Sequence, residues 1–446
     1  MGYLVGLDVG TTSSKAVVLD SSGAELSQGR AATSWHASAA GVQTDAAEVL
    51  ASARLAVAQA LRTAPRGPVI GVGVASMGES GVLLDRGGDP VAPVIAWHDN
   101  RDAEQARRLG ERFGAEDFAR RTGLPLRCQW SLTKHRWLID HHAPSRDAVR
   151  RLGIAEWVVR QLGGEEVSEA SLASRTGWLE LETRAWWPEA LEWSGMRPSL
   201  LPPLVTAGAA VGRVPSTVGL DGLTGAVLTV AGHDHQAAAI GARAAGAGDV
   251  LDSCGTAEAL IRTVLPGLGT NAVLALTEAG ITVGWHVLPG HWCLLGGTQG
   301  GLVLQRVLGA LGKTGSDLAS LDLQALAADP AGVQITGDDP VGISGITEGT
   351  GPAQVWRAAL DEVTRRAGVL DAAMTAVSGR GEKFIVTGGW ARSQALLEIK
   401  RRAFGRLTHT DVREAGARGA AILAGVAAGV YRDVNHAQAL THASGA

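Results

Sequence analysis

Residues 3–20 read YLVGLDVGTTSSKAVVLD, an apolar run that carries an aspartate and then breaks into a Gly-Thr-Thr-Ser-Ser-Lys turn. Buried strands tolerate an unpaired carboxylate poorly, so Asp8 requires a partner. In a tight Gly-Thr turn successive backbone N–H groups point to one side and can cradle phosphate oxygens. The hydroxyls of Thr11, Thr12 and Ser13 add donors, and Lys15 adds charge. Asp8 would repel such phosphates unless it ligated, directly or through water, the Mg2+ that neutralises them. The same order returns in DVLDSCGTAEALIRTV, residues 249–264: apolar strand, aspartate, Gly-Thr turn, returning strand. Asp252, Gly255 and Thr256 answer Asp8, Gly10 and Thr11 with one residue inserted. A polar hairpin without a ligand accounts for either turn alone. Two at matching places in two related halves point to a polyphosphate with its Mg2+.

Two further stretches carry chemistry. KFIVTGGWARSQALLEIKRRAFG, residues 383–405, is an apolar strand running into Gly388-Gly389 and then a helix with Leu396, Leu397 and Ile399 inward and Lys400, Arg401 and Arg402 at its end. A glycine pair at a helix N-terminus lets a ligand lie against backbone near the positive end of the dipole. Asp234 follows the buried-strand run GAVLTVAG and precedes a small-residue helix, a position at the lip of a cleft. A helix cap is the plainer role for it. His233 and His235 could form the metal pair of a hydrolase, a rival that needs a third ligand and a bridging acid, and none stands out. LGALGKT places too few residues between its glycines for a phosphate loop of the GxxxxGK type, and GVGVAS lacks the third glycine of a dinucleotide fingerprint.

The elements that must position these residues follow from pattern. Residues 3–33 read as three short strands, and 45–64 as a helix with a capping-box start at Asp45 and Glu48 and an inward face of Leu50, Val57 and Leu61. VIGVGVASM reads as a buried strand and GVLLDRGGDPVAPVIAW as a hairpin. With 446 residues the chain fits two domains of about 200 residues each. The fold class expected is α/β. The Gly/Ala-rich GARAAGAGD sets the boundary, giving domains 1–244 and 245–446. A formal charge of -4 argues against a nucleic-acid or membrane-surface partner and for a small polar substrate. Cys128, Cys254 and Cys293 form no CxxC pair, and neither a signal-type start nor an 18-residue apolar run occurs, so a cytoplasmic protein is expected. A homodimer is compatible with the sequence.

Taken in order, these motifs resemble the FGGY carbohydrate kinases of the actin-like ATPase superfamily. LVGLDVGTTSSKAVVLD is similar to the family's first phosphate loop, GVASMGESGVLLDRGGDPVAPVIAWHDNR to its substrate strand, and TGLPLRCQWSLTKHRWLIDH to the helical region that follows. AGHDHQAAAIGA resembles its catalytic segment, SCGTAEAL its second phosphate loop, GGWARSQALLEIKRRAFG its adenosine motif, and EAGARGAAILAGVAAG its closing helix. The resemblance implies two actin-like (ribonuclease H-like) domains with an ATP cleft between them. It implies Asp234 as general base towards a sugar hydroxyl, Asp8 at the metal, and Thr11, Thr12, Ser13, Lys15, Gly255 and Thr256 at the phosphates. Gly300, Gly389 and Ser393 would line the nucleotide, with Trp390 against adenine and Leu304 where some relatives place a polar contact.

The substrate strand departs from the family. Glycerol kinases carry Gln-Arg-Glu there and xylulokinases Gln-Met-His, where this chain has Met77, Gly78 and Glu79. Glu79 can accept from two hydroxyls, and the bare Gly78 implies a wider pocket. Gln129, His235 and Trp97 complete the implied sugar site, for a small polyol, tetrulose or pentulose. The non-catalytic rival is an actin-like nucleotide-binding regulator.

Overall fold

The computed structural model describes residues 2–330, 332–405 and 407–443. Two mixed sheets organise it. The first takes β1 (Tyr3–Val9), β2 (Ser13–Leu19), β3 (Glu25–Ala32), β4 (Val69–Ser76) and β5 (Val227–His233) in the order β5-β4-β1-β2-β3. The second takes β6 (Val250–Cys254), β7 (Glu258–Val264), β8 (Thr282–Trp285), β9 (Trp292–Thr298), β10 (Phe384–Thr387) and β11 (Leu407–His409) in the order β8-β9-β7-β6-β10-β11. In each sheet a central strand pairs antiparallel with the strand that follows it and parallel with a later one: β1 with β2 and β4, β6 with β7 and β10. Setting aside the extra edge strand β8, the topology repeats strand for strand. These are two actin-like α/β halves.

Period-two alternation on β1 decides what each face meets. Val5, Leu7 and Val9 pack under helix α1 (Ala46–Thr63), whose buried face is Val49, Ala53, Ala56, Val57 and Ala60. Leu50 and Leu61 are only half-buried. Asp45 makes no side-chain cap; Glu48 instead accepts from Thr44 Oγ1 at 3.0 Å. Leu4, Gly6 and Asp8 face the other way, towards α6 (Ala415–Ala427), a helix from the far end of the chain. A Cβ on Gly6 would overlap the carbonyl oxygen of Ala417.

α6 and α2 (Asp234–Gly241), which follow β11 and β5, cross between the two sheets. A Cβ on Gly241 would overlap Ala415 O and one on Gly419 would overlap Ala237 O, so each helix offers a glycine where the other's backbone passes. Such close approach is what glycine permits. Further helices of the second half include α3 (Gly300–Ala310), α4 (Pro352–Ser378) and α5 (Gln394–Phe404).

Residues 81–97 form a shorter hairpin than expected: around the Asp85–Asp89 turn Leu84 bridges Pro90 antiparallel and Val91 N donates to Leu83 O at 2.9 Å, while Gly81–Leu84 also pairs with Arg150–Gly153 and Val94–Ile95 pairs with Gln43 and Thr44. No helix among the described residues is long and apolar enough to cross a membrane.

Candidate active site

Parallel pairing of β1, β4 and β5 brings their C-terminal ends level: Val9 and His233 both register with Ser76. Asp8, the 77–79 segment and Asp234 therefore share one sheet edge. Asp8 leaves the sheet on the α6 side, where Gly416 is the residue that admits it; a Cβ there would come within 2.6 Å of Asp8 Oδ2. Its other oxygen, Oδ1, is buried without a hydrogen-bond partner. Burial pushes the Asp8 carboxyl up to about 7; Asp234 adds to the rise, and Lys15 and His235 oppose it. Asp234 stands at the first turn of α2 and accepts from the His235 N–H at 2.7 Å. Burial pushes it also to about 7; the His235 N–H opposes this, Glu79 adds to it, and Arg175 and Lys15 oppose it. Lys15, paired with Asp8 across the β1–β2 register, forms an ion pair with Glu414 at 3.0 Å.

Burial raises both carboxyls, and groups so placed at one strand-end surface are where functional chemistry gathers. The orphaned Asp8 oxygen and the Lys15 ammonium fit a magnesium-bearing polyphosphate: the first offers a hard oxygen ligand, the second a counter-charge.

The first hairpin is held from outside. Trp35 Nε1 donates to Thr11 O at 2.6 Å and Trp97 Nε1 to Thr11 Oγ1 at 2.8 Å. Trp97 thus grips the Gly-Thr turn. Thr12 is exposed, and Ser13 Oγ is buried without a partner. In the second half, Gly255 and Thr256 form the β6–β7 turn; a Cβ on Gly301, at the start of α3, would overlap Gly255 O. Gly300 lies buried beside Glu258 and Leu304 lies in the core. Gly388 has φ +99 and sits on Cys254, whereas nothing approaches the Cβ position of exposed Gly389. Ser393 Oγ caps α5, accepting from Leu396 N at 3.1 Å, and Trp390 packs 6.0 Å from Trp356.

Lys400 does not lie at a solvated helix end. It is fully buried, with its Nζ ion-paired to Asp252 and Glu258 and 3.4 Å from Cys254 Sγ. Burial opposes its charge, and the neighbouring acids outweigh that, holding it well above the ordinary lysine range. Asp252 thus has a lysine in direct contact, whereas its counterpart Asp8 has an oxygen with no hydrogen-bond partner among the described residues. Asp252, Cys254 and Glu258 are the only acid, thiol or imidazole cluster among the described residues close enough to share a metal, and Lys400 already holds it. Among the described residues His233 and His235 gain no third ligand, and burial lowers both rings below the ordinary histidine range.

At the substrate strand the pocket is not widened by Gly78. Arg175 and His233 fill the space: a Cβ on Gly78 would lie 3.0 Å from His233 Cδ2 and 3.1 Å from Arg175 Cγ. Arg175 donates to Glu79 Oε1 through Nε at 2.9 Å, forms the ion pair through Nη2 at 2.7 Å, and reaches Thr282 Oγ1 on β8 at 2.7 Å. Gln129 Nε2 donates to the same Glu79 oxygen at 3.1 Å. No sequence pattern marked Arg175; it lies 96 residues from its partner.

Residues 3–241 match the family model for the FGGY family of carbohydrate kinases, N-terminal domain. A glycerol kinase of Thermus brockianus is 33% identical over 463 residues, covering 96% of this chain and 90% of that protein. A glycerol kinase of Aromatoleum aromaticum is 31% identical, covering 97% and 92%. Among solved structures, Plasmodium falciparum glycerol kinase with ADP superposes with a TM-score of 0.87 at 18% identity, over 99% of this chain and 92% of that one. Ligand-bound xylulose kinase from Lactobacillus acidophilus gives 0.86 at 19%, with the same coverage. The repeated sheet, the paired Gly-Thr turns and this kinship over nearly the full length converge: the chain belongs to the FGGY family of carbohydrate kinases.

Proposed function

We propose that this kinase transfers the γ-phosphoryl group of MgATP to a hydroxyl of a small sugar or polyol, in a cleft between halves that meet at residues 244 and 245. The observation that supports the reading is the Asp8–Asp234 pair, two carboxylates at the ends of strands that flank β4, one with an oxygen that nothing among the described residues satisfies. Asp234 takes the proton of the substrate hydroxyl as its oxygen attacks the γ-phosphorus; the bond to the β–γ bridging oxygen breaks and ADP leaves. Asp8 would hold the magnesium ion, which when bound neutralises the phosphate charge and returns Asp8 to its ionised form. Lys15, with Thr11, Thr12 and Ser13, meets the β- and γ-phosphates; Gly255 and Thr256 hold phosphate from the second half; Gly300, Gly389 and Ser393 border the nucleotide. Glu79, Gln129 and His235 line the sugar pocket. The test is ADP release with glycerol and with D-xylulose. Wild-type turnover that Asp234→Asn retains would contradict the assigned base; a drop of about 10²-fold or more in kcat with unchanged ATP binding is expected.

A further inference from the structure

β5 does not run straight into α2. Its register against β4 slips between Val230 and Gly232, so that β5 carries one residue more than β4 there, and Gly232 takes φ +79. Side chains alternate along a strand, and a single extra residue reverses the face that each later one takes. The bulge therefore sets the phase in which β5 delivers His233 and Asp234 to the start of α2. It is held from outside the sheet. The His233 N–H donates to Ser171 Oγ at 2.9 Å, and the Ser171 hydroxyl donates to Glu169 Oε2 at 2.5 Å. A hydroxyl has one proton, so with it committed to the carboxylate the oxygen can only accept from His233. The fit is close: a Cβ on Gly232 would stand 2.4 Å from Ser171 Oγ, 2.4 Å from Val287 Cγ1 and 2.8 Å from Glu169 Oε2. Glu169 and Ser171 are both wholly buried. Glu169 Oε2 also accepts from the N–H groups of Ser171 and Leu172, at 2.9 and 3.1 Å, while Oε1 is buried with no hydrogen-bond partner among the described residues. These bonds make Glu169 the cap of the short helix Ala170–Ala173. Capping a single turn returns less stability than burying a carboxylate with one bare oxygen costs, so the cap alone does not account for the residue.

We propose that Ser171 and Glu169 are positioning residues of this kinase: acting through the His233 N–H, they hold the β5 bulge and thereby the direction in which Asp234 meets the substrate hydroxyl. The proposal rests on the assignment of Asp234 as base given above. Neither residue is placed against sugar or nucleotide, so their loss should slow turnover and leave affinity in place. A base misplaced by about 1 Å can cost on the order of 10²-fold in rate while the substrate still binds. Because one hydrogen bond to His233 carries both contributions, removing the second residue after the first should change little.

The test compares Ser171→Ala, Glu169→Ala, Glu169→Gln, the double variant Ser171→Ala/Glu169→Ala, and Asp234→Asn, with glycerol and D-xylulose as probes and melting temperatures measured alongside. Ser171→Ala removes a single oxygen and is expected to lower kcat for the better probe roughly ten-fold or more, with the KM values for sugar and ATP within about two-fold of wild type. Glu169→Gln keeps an oxygen for the Ser171 proton and retains most of the turnover. Glu169→Ala falls to the level of Ser171→Ala, and the double variant falls no further. A kcat in Ser171→Ala equal to wild type, beside an inactive Asp234→Asn, overturns the proposal and leaves the base standing. So does a loss in the double variant equal to the product of the two single losses, or a raised sugar KM in Ser171→Ala at unchanged kcat. Should Glu169→Ala not fold, the comparison of Ser171→Ala with wild type decides alone. If Asp234→Asn retains turnover, or neither probe is phosphorylated, the function assigned above falls and the proposal with it.

Discussion

Asp8 and Asp234 stand within mutual influence at about pH 7, so ionisation should govern both catalysis and magnesium binding. The base must be deprotonated, so kcat/KM for the sugar should rise with pH through about 7 and level off above it; an initial-rate profile from pH 5.5 to 9 checks this. The stability consequence has the opposite sign. A carboxyl whose folded-state pKa is raised from 3.8 to about 7 keeps its proton longer in the folded than in the unfolded chain. Stability is then lost as pH climbs from about 4 to about 7 and is flat beyond. Magnesium with a non-hydrolysable ATP analogue relieves that loss, so the rise in melting temperature on adding both should be larger at pH 8 than at pH 5. An equal rise at both values would remove Asp8 from the metal. At this scale the sequence was legible where placement is local: Asp8, Thr11 and Lys15 sit on one hairpin and Asp234 directly follows its strand. Arg175 and the buried face of Lys400 were not, because their partners lie 96 and 142–148 residues away. A basic residue near a helix end reads as solvated until tertiary packing turns it inward.

Helices α2 and α6 carry the contact between the halves, and their glycines set how closely they run. Gly419→Ala or Gly241→Ala places a methyl against backbone of the partner helix, which cannot give way as a side chain can. Chemical denaturation should show a loss of about 1–3 kcal/mol for either. α5 carries a different dependence. Lys400→Met removes the one cation from a pocket that holds Asp252 and Glu258, and breaking a buried pair in this way costs about 3–5 kcal/mol. The melting temperature should fall, and Asp252→Asn in the same chain should recover part of it. The small-residue composition of α6 announced a closely packed helix in the sequence. Its docking on the first sheet, more than 400 residues from β1 in the chain, could not be read there. For α1 the 3.6-residue pattern identified the helix, but the large Leu50 and Leu61 drew the inward face away from Val49, Ala53 and Ala56, where alanine allows α1 to sit close to the sheet.

The whole molecule is a duplicated sheet in which matching hairpins end matching strands, and in which the two aspartates that open those hairpins have diverged. Asp252 is neutralised from within by Lys400, and Asp8 is left with an unsatisfied oxygen. The two hairpins therefore share a backbone plan while their opening aspartates have different surroundings. The halves were legible in the sequence because strand-turn-strand order is local and repeats. The hairpin expected at 81–97 forms only around its turn, and its flanking segments pair with strands from elsewhere, a choice no local window contains.

The most direct measurement is a crystal structure with magnesium and a non-hydrolysable ATP analogue. The β- and γ-phosphates should lie between the Thr11–Ser13 turn and the Gly255–Thr256 turn, with the ion at Asp8 and the γ-phosphorus facing Asp234. Phosphates bound at only one turn with the other directed to solvent, or a metal held away from Asp8, would contradict the shared cleft.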